Sequence, residues 1–168
     1  MEGACLVLDA GTGTIKAGFG GSESPSVYRC LIGRAKHQAA LPQTGFDGGD
    51  VFFANEAEKY RGVLKLEYPV TNGVVRDWKS LGDVLTHVYS SIGVSGKDHP
   101  VLCTEAALCS KPQRARLGQL LFEENQHPAV LFATQGLLSL YAAGSVSGMV
   151  LDIGDGVAQT CPVYEGYC

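Results

Sequence analysis

The sequence has no block of basic residues and no apolar run long enough to cross a membrane. Its 168 residues carry 13 Lys or Arg against 17 Asp or Glu, a formal net charge of −4. Without clustered positive charge a chain has little attraction for nucleic acid, and a bilayer span needs about 20 apolar residues. The amino-terminal stretch MEGACLVLDAG lacks the regions of a signal peptide. We therefore expect neither a nucleic-acid partner nor a membrane partner.

Paired metal-binding and disulfide motifs are also missing. The six cysteines stand far apart, and no two of them form a Cys-x-x-Cys pair. In a chain without an export signal such cysteines are expected to be free thiols of a reducing compartment. The four histidines show no ligand spacing, which argues against a zinc site. These absences indicate a cytoplasmic or nuclear protein, and the cytoplasm is the expected location of the two.

Glycine, by contrast, is in excess. It accounts for 22 of 168 residues, about 13% against a usual ~7%. The glycines lie singly or in pairs between apolar runs, which indicates many tight turns. Three strands (5–9, 14–20 and 27–33) come first, and further strands at 100–106 and 129–134 alternate with helices. The predicted fold class is α/β, a mixed sheet with helices packed on it.

One predicted helix has a recognisable beginning. Asp77 is a residue type that caps helices, and apolar residues follow it at spacings of three and four. The apolar positions are Trp78, Leu81, Leu85, Val88 and Ile92. A second helix is expected over 111–125, and a third over 135–144.

Two segments of the chain echo each other. CLVLDAGTGTIKAGF (5–19) and GMVLDIGDGVAQTCP (148–162) both read as an apolar strand ending in Leu-Asp-x-Gly-x-Gly, followed by a second strand. One such motif is most often an ordinary hairpin. Two of them together favour a clamp that holds phosphate between two glycine hairpins.

The residue types in these hairpins suit phosphate capture. Glycines let the backbone approach a ligand, and their N–H groups can surround an anion together with the hydroxyls of Thr12 and Thr14. Lys16 can supply positive charge, although a solvated surface lysine is an open alternative. Asp9 and Asp152 would repel phosphate unless a divalent cation and its waters stood between. The spacing fits neither a Walker loop nor a Rossmann fingerprint.

Longer stretches of the sequence resemble the actin family. The matching text includes KAGFGG (16–21), KYRGVLKLEYPV (59–70), HPVLCTEA (99–106), QGLLSLYAAG (135–144) and GMVLDIGDGV (148–157). Two shorter stretches, GDVFF and GVVRDW, are similar to centractin, the actin-related protein of dynactin. The resemblance to the actin family covers nearly the whole chain. It implies an actin-like lobe of the ribonuclease H-like type with a small inserted subdomain.

The resemblance also implies a role for particular residues, with Mg-ATP or Mg-ADP as the cofactor. The first phosphate loop is matched by Asp9, Gly11, Thr12, Gly13 and Lys16. The second phosphate loop is matched by Asp152, Gly154, Asp155, Gly156 and Val157. Asp9 and Asp152 would hold the metal through water, and Gln135 and Gln159 would position the attacking water.

The sequence departs from the family pattern at three positions in or near the predicted site. Gln159 stands where the family has a histidine, and glutamine cannot titrate near neutral pH. We therefore predict weak or absent ATP hydrolysis. Asn72 replaces another family histidine, so any modification there is lost. Ile153 replaces a small hydroxyl residue of the second loop.

The resemblance predicts how the chain divides into domains. Residues 1–33 and 70–168 are expected to form the family's first lobe, incomplete, and residues 34–69 the inserted subdomain, with a mobile loop at 37–50 for subunit contacts. The text that matches the family stops at PVYEGYC, before a second lobe, so nucleotide is expected to bind weakly or not at all. A protein partner is expected to cover the face where that lobe would pack.

Three functions remain open from the sequence. The first is a truncated actin-related protein that serves as a structural subunit of a cytoskeletal assembly, associated with microtubules or with dynein and dynactin. The second is a fragment of a full-length, filament-forming ATPase. The third is a nuclear actin-related subunit.

Overall fold

The computed structural model describes residues 4–36 and 51–168. The loop predicted at 37–50 lies outside the described residues. Within the described ranges, no helix has the length and apolar character needed to span a bilayer.

The first half of the chain is built mainly of strands. In chain order its elements are β1 Leu6–Ala10, β2 Thr14–Phe19, β3 Ser26–Arg29, β4 Ile32–Ala35, β5 Val51–Phe53, α1 Ala54–Lys59, β6 Leu64–Glu67, β7 Val70–Thr71 and β8 Val74–Val75. The second half alternates helices and strands. Its elements are α2 Trp78–Ile92, β9 Val101–Glu105, α3 Lys111–Gln119, β10 Val130–Thr134, α4 Gln135–Ala142, β11 Gly148–Ile153 and β12 Ala158–Val163.

A mixed five-stranded sheet forms the centre of the fold, in the order β10-β9-β1-β2-β3. Strands β10, β9 and β1 run parallel, while β1, β2 and β3 are joined as antiparallel neighbours. Leu6, Leu8, Val101 and Cys103 are buried in the main core beneath this sheet. The α/β fold class predicted from the sequence is confirmed.

Helix α2 covers that core as its sequence predicts. The Asp77 side chain accepts hydrogen bonds from the Ser80 backbone N–H at 3.0 Å and from the Ser80 hydroxyl at 2.7 Å, so the predicted cap is present. Leu81, Leu85 and other residues of the apolar face are fully buried. The helix ends where Gly93 adopts a left-handed conformation with φ of 69°.

The predicted third strand, at 27–33, is wrong in one respect. Strand β3 ends at Arg29, and the chain leaves the five-stranded sheet through the buried residues Cys30 and Leu31. Strand β4 then begins at Ile32 and pairs with β5 and β6 in a separate three-stranded sheet. The apolar run gives no sign of this break, because Cys30, Leu31 and Ile32 continue through it as buried residues.

The three-stranded sheet has a small core of its own, made by Leu31, Phe52, Ala57 and Leu64. Helix α1 supplies Ala57 to it. This sheet begins at Ile32, two residues before the stretch predicted as an inserted subdomain, and its other strands lie within that stretch. The domain division itself stays a prediction.

The second predicted helix, at 111–125, changes its geometry part of the way along. The α-helix ends at Gln119, and Leu120–Glu124 continue as a π-helical turn. The Asn125 N–H bonds to the carbonyl of Leu120 at 3.0 Å, five residues back. Leu120 and Leu121 are thereby buried in the main core.

Strands β11 and β12 form a two-stranded sheet apart from the central one. Cys161 of β12 forms a disulfide with Cys168, with Cα atoms 6.4 Å apart, so the expectation of free thiols is wrong for this pair. Glu165 and Gly166 take positive φ values of 48° and 84°, and the resulting turn brings the chain back toward β12. The remaining described cysteines, which are Cys5, Cys30, Cys103 and Cys109, are free.

Replacing Asp77 tests the cap of α2. We expect Asp77→Ala to lower the free energy of unfolding by about 1 kcal/mol at pH 7. The Ser80 hydroxyl, and then its backbone N–H, hold the pKa of Asp77 below the ordinary value. The carboxylate therefore stabilises the fold above about pH 3.9 and loses this effect as the pH falls through the folded-state pKa.

Urea denaturation between pH 7 and pH 3 measures this effect. The difference in free energy of unfolding between the parent chain and Asp77→Ala should become smaller in acid. Asp77→Asn is the control, because asparagine caps a helix without titrating. A pH-independent cost of Asp77→Ala would contradict the assignment.

Candidate phosphate-binding site

The two glycine hairpins predicted to hold phosphate face each other across one cavity. The first connects β1 to β2, and the second connects β11 to β12. The cavity has a volume of about 400 Å³. Every site residue that the sequence predicted lines it, from Asp9 and Lys16 of the first hairpin to Asp152 and Gln159 of the second, together with Gln135. The roles given to these residues stay predictions.

The first hairpin turn is held on two sides. The Gly11 N–H bonds to the Thr14 carbonyl at 3.0 Å inside the turn, and the Gly13 carbonyl accepts from the Cys30 N–H at 3.1 Å. The hydroxyl oxygen of Thr12 accepts the N–H of Gly73 at 2.9 Å. Thr12 therefore joins the first hairpin to the turn between β7 and β8.

The turn between β7 and β8 is also held by helix α3. Asn72 and Gly73 have positive φ values of 51° and 72°, which suits asparagine and glycine. The Gln113 side chain of α3 binds the backbone of Val75 twice, to its N–H and to its carbonyl, at 3.3 Å each. The position of the turn is thus tied to both Thr12 and helix α3.

The two hairpins touch where their glycines lie. A Cβ atom on Gly156 would come within 2.7 Å of the Thr12 Cγ2 atom, and one on Gly13 would come within 2.9 Å of the Asp155 Cβ atom. A Cβ atom on Gly73 would approach Val157 to 3.1 Å. The distances at Gly156 and Gly13 leave no room for a side chain, so the hairpins meet only with glycine at these two positions.

Asp9, at the end of β1, is surrounded by donors. Its Oδ1 atom accepts the Gln135 side-chain amide at 2.9 Å and also the Thr104 hydroxyl. Its Oδ2 atom lies 3.4 Å from the Lys16 ammonium. Beneath it, burial first and then the Asp9 charge raise the pKa of the Cys103 thiol to about 12, so Cys103 stays protonated.

Asp152, at the end of β11, has one side-chain donor among the described hydrogen bonds. The Gln159 amide donates to its Oδ2 atom at 3.2 Å. Asp152 and Gln159 are paired in register across the hairpin. In this structure Gln159 therefore orients a carboxylate.

Two residues at the site were missed by sequence reasoning. Thr104 is one of several β-branched residues in strands, and only its position beside Asp9 sets it apart. Gly73 reads as a plain turn glycine, and its contact with Thr12 spans 61 residues of sequence. The sequence signal for Thr104 is that it sits at the end of a buried strand, where parallel strands bring side chains together.

The residues present fit a magnesium nucleotide. Asp9 and Asp152 line the cavity together with two further carboxylates, Glu105 and Asp155, whereas the described ranges contain no group of three or more His, Cys, Asp or Glu side chains able to hold a metal ion directly. Mg²⁺ accepts this arrangement because it takes one or two carboxylates and retains several waters. Glycine turns and Lys16 on the same wall suit the phosphates.

Replacing Gly156 tests the contact between the hairpins. We expect Gly156→Ala to lower the free energy of unfolding by about 1–3 kcal/mol, because the new methyl group overlaps Thr12. Thr12 cannot move aside without losing its bond to Gly73. Gly62→Ala is the control, since nothing lies within 4 Å of its added Cβ atom. Equal urea midpoints for the two variants would show that the hairpins do not touch.

A comparison with known protein families agrees with this geometry. The family model described as Actin matches residues 2–168. The match includes both glycine hairpins, Gln135 and the strands that carry Asp9 and Thr104. The chain belongs to the actin family.

Proposed function

We propose that this chain binds the phosphates of Mg-ATP or Mg-ADP between its two glycine hairpins and serves mainly as a structural, actin-related subunit. The observation that carries the proposal is one cavity that brings together both hairpins, the carboxylates of Asp9 and Asp152, and Lys16. The chain's membership of the actin family supports nucleotide binding in general.

The hairpin geometry indicates which N–H groups would meet the phosphates. Gly11 and Gly154 use their N–H groups inside the turns, bonding to Thr14 at 3.0 Å and Val157 at 2.8 Å. The phosphates would therefore meet other N–H groups of the two turns, beside the contacts of Gly13 with Asp155 and of Gly156 with Thr12. Lys16 adds a positive charge that offsets part of the phosphate charge.

Asp9 and Asp152 would hold the metal through its waters. When bound, the cation would neutralise phosphate charge that the two carboxylates otherwise repel. Gln135 begins helix α4 beside the cavity and donates a hydrogen bond to Asp9, one of the two carboxylates assigned to the metal.

Weak hydrolysis is part of the proposal. Gln159 can orient a group through hydrogen bonds but has no proton to exchange near neutral pH. Its amide is already engaged with Asp152. The site is thus better suited to holding a nucleotide than to cleaving it.

A structural role is supported by an apolar row on β11. Met149, Leu151 and Ile153 are 73%, 64% and 72% exposed, and their neighbours across the strand pair are Pro162, Thr160 and Ala158. An uncharged sheet face of this kind is typical of a surface that contacts protein. We propose a cytoskeletal assembly as the setting.

Nucleotide binding can be tested by thermal unfolding. We expect Mg-ATP at about a hundred times its Kd to raise the Tm by about 5–10 °C. Asp152→Asn should remove most of the Mg²⁺-dependent rise in Tm, which is the difference between the Tm measured with ATP and Mg²⁺ and the Tm measured with ATP and EDTA. Asp98→Asn is the control, because Asp98 is exposed and away from the cavity. An unchanged Tm in the parent chain would refute the proposal.

Hydrolysis can be tested by single-turnover release of phosphate. We expect the parent chain to release phosphate far more slowly than a conventional actin assayed beside it. Gln159→His should raise the rate and make it depend on pH between 5 and 8, because histidine titrates there. A parent rate equal to that of the actin would contradict the role given to Gln159.

A further inference from the structure

We propose that Thr104 is a positioning residue that fixes the Asp9 carboxylate for a hydrated divalent cation. The inference rests on the proposed function, because it concerns the same phosphate site. Thr104 does not reach the cation or the phosphates itself. It acts through one hydrogen bond, from its hydroxyl to the Oδ1 atom of Asp9.

The sheet explains why these two residues meet. Strands β1 and β9 are parallel neighbours, with Leu8 opposite Cys103. Leu8 and Cys103 point into the core and are fully buried. Since side chains alternate along a strand, Asp9 and Thr104 follow on the opposite face of the sheet. The contact joins residues 95 positions apart in the sequence.

The two oxygen atoms of Asp9 have different surroundings. Oδ1 accepts two donors from the protein, the Thr104 hydroxyl and the Gln135 amide. Oδ2 faces Lys16, whose ammonium lies 3.4 Å away and is half exposed. The protein thus holds the carboxylate mainly through Oδ1, while Oδ2 accepts, among the described hydrogen bonds, only the longer one from Lys16 and could also accept from the water of a cation.

Asp152 offers a comparison within the same site. Its one described side-chain donor, Gln159, binds Oδ2 at 3.2 Å. Asp9 is therefore the more firmly held of the two carboxylates. Orienting partners of this kind matter for metal affinity, since their loss commonly costs about 10–100-fold. Of the two donors that hold Oδ1 of Asp9, the Thr104 hydroxyl is the one that the sequence did not predict.

A merely structural threonine would behave differently when changed. Thr104→Val keeps the branched shape that suits a strand and removes only the hydroxyl. Thr104→Ser keeps the hydroxyl and removes a methyl group. A packing role predicts that serine is the harmful change, and a positioning role predicts that valine is.

The experiment is a Mg²⁺ titration of the ATP-induced rise in Tm, made on the full chain at fixed ATP. We expect Thr104→Val to raise the half-maximal Mg²⁺ concentration about tenfold, and Thr104→Ser to return it toward the parent value. The rise in Tm produced by ATP in the presence of EDTA should be the same for the parent chain, Thr104→Val and Thr104→Ser. Thr86→Val is the control, because Thr86 bonds only within helix α2, to the Gly82 carbonyl.

A double variant tests whether Thr104 acts through Asp9. In an Asp9→Asn background, Thr104→Val should produce little further change in the Mg²⁺ requirement, because the carboxylate it positions is gone. If Thr104→Val fails to fold, Thr104→Cys replaces it, since a thiol is only a weak donor.

The outcomes separate the two proposals. Mg-ATP stabilisation of the parent chain with no change in the Mg²⁺ midpoint for Thr104→Val overturns the role of Thr104 alone. Equal weakening of ATP binding with Mg²⁺ and in EDTA also overturns it, because that pattern indicates a general loss of structure. A parent chain without any Mg-ATP stabilisation overturns both.

Discussion

The fold depends most on the place where three backbone turns meet around the Thr12 side chain. Thr12 accepts the N–H of Gly73 and packs against Gly156, and Gly156 has no space for a Cβ atom. The contact joins the central sheet, the β7–β8 turn and the β11–β12 hairpin. Because each segment belongs to a different sheet, their relative positions follow from this junction.

The central sheet supplies the other half of the site. Parallel pairing of β10, β9 and β1 places their carboxyl ends along one edge, so Asp9, Thr104 and Gln135 become neighbours. A buried face of apolar residues lies beneath them, including Cys103 with its raised pKa. Polar groups at the edge of a rigid core keep their orientation without rearrangement. The arrangement therefore prepares the site before a ligand arrives.

Local patterns predicted the parts of the fold that depend on local physics. Asp77 and the apolar spacing after it define α2, and the repeated Leu-Asp-x-Gly-x-Gly motif locates both hairpins. The break at Cys30 and the Cys161–Cys168 disulfide could not be predicted. Cys30, Leu31 and Ile32 form one buried apolar run through the break, and a spacing of seven gives no cysteine motif. Thr104 became visible only through the strand register, which a sequence does not display.

The long sequence separations of these contacts have a consequence for biosynthesis. Gln135 reaches Asp9 across 126 residues. At about 5–20 residues per second, a ribosome takes about 6–25 s to make that interval. During this time the first hairpin, with its aspartate and glycines, has emerged without the residues that will hold it. Parallel pairings between distant strands form slowly, so the edge of β1 that pairs with β9 stays unpaired until residues 101–103 have been made.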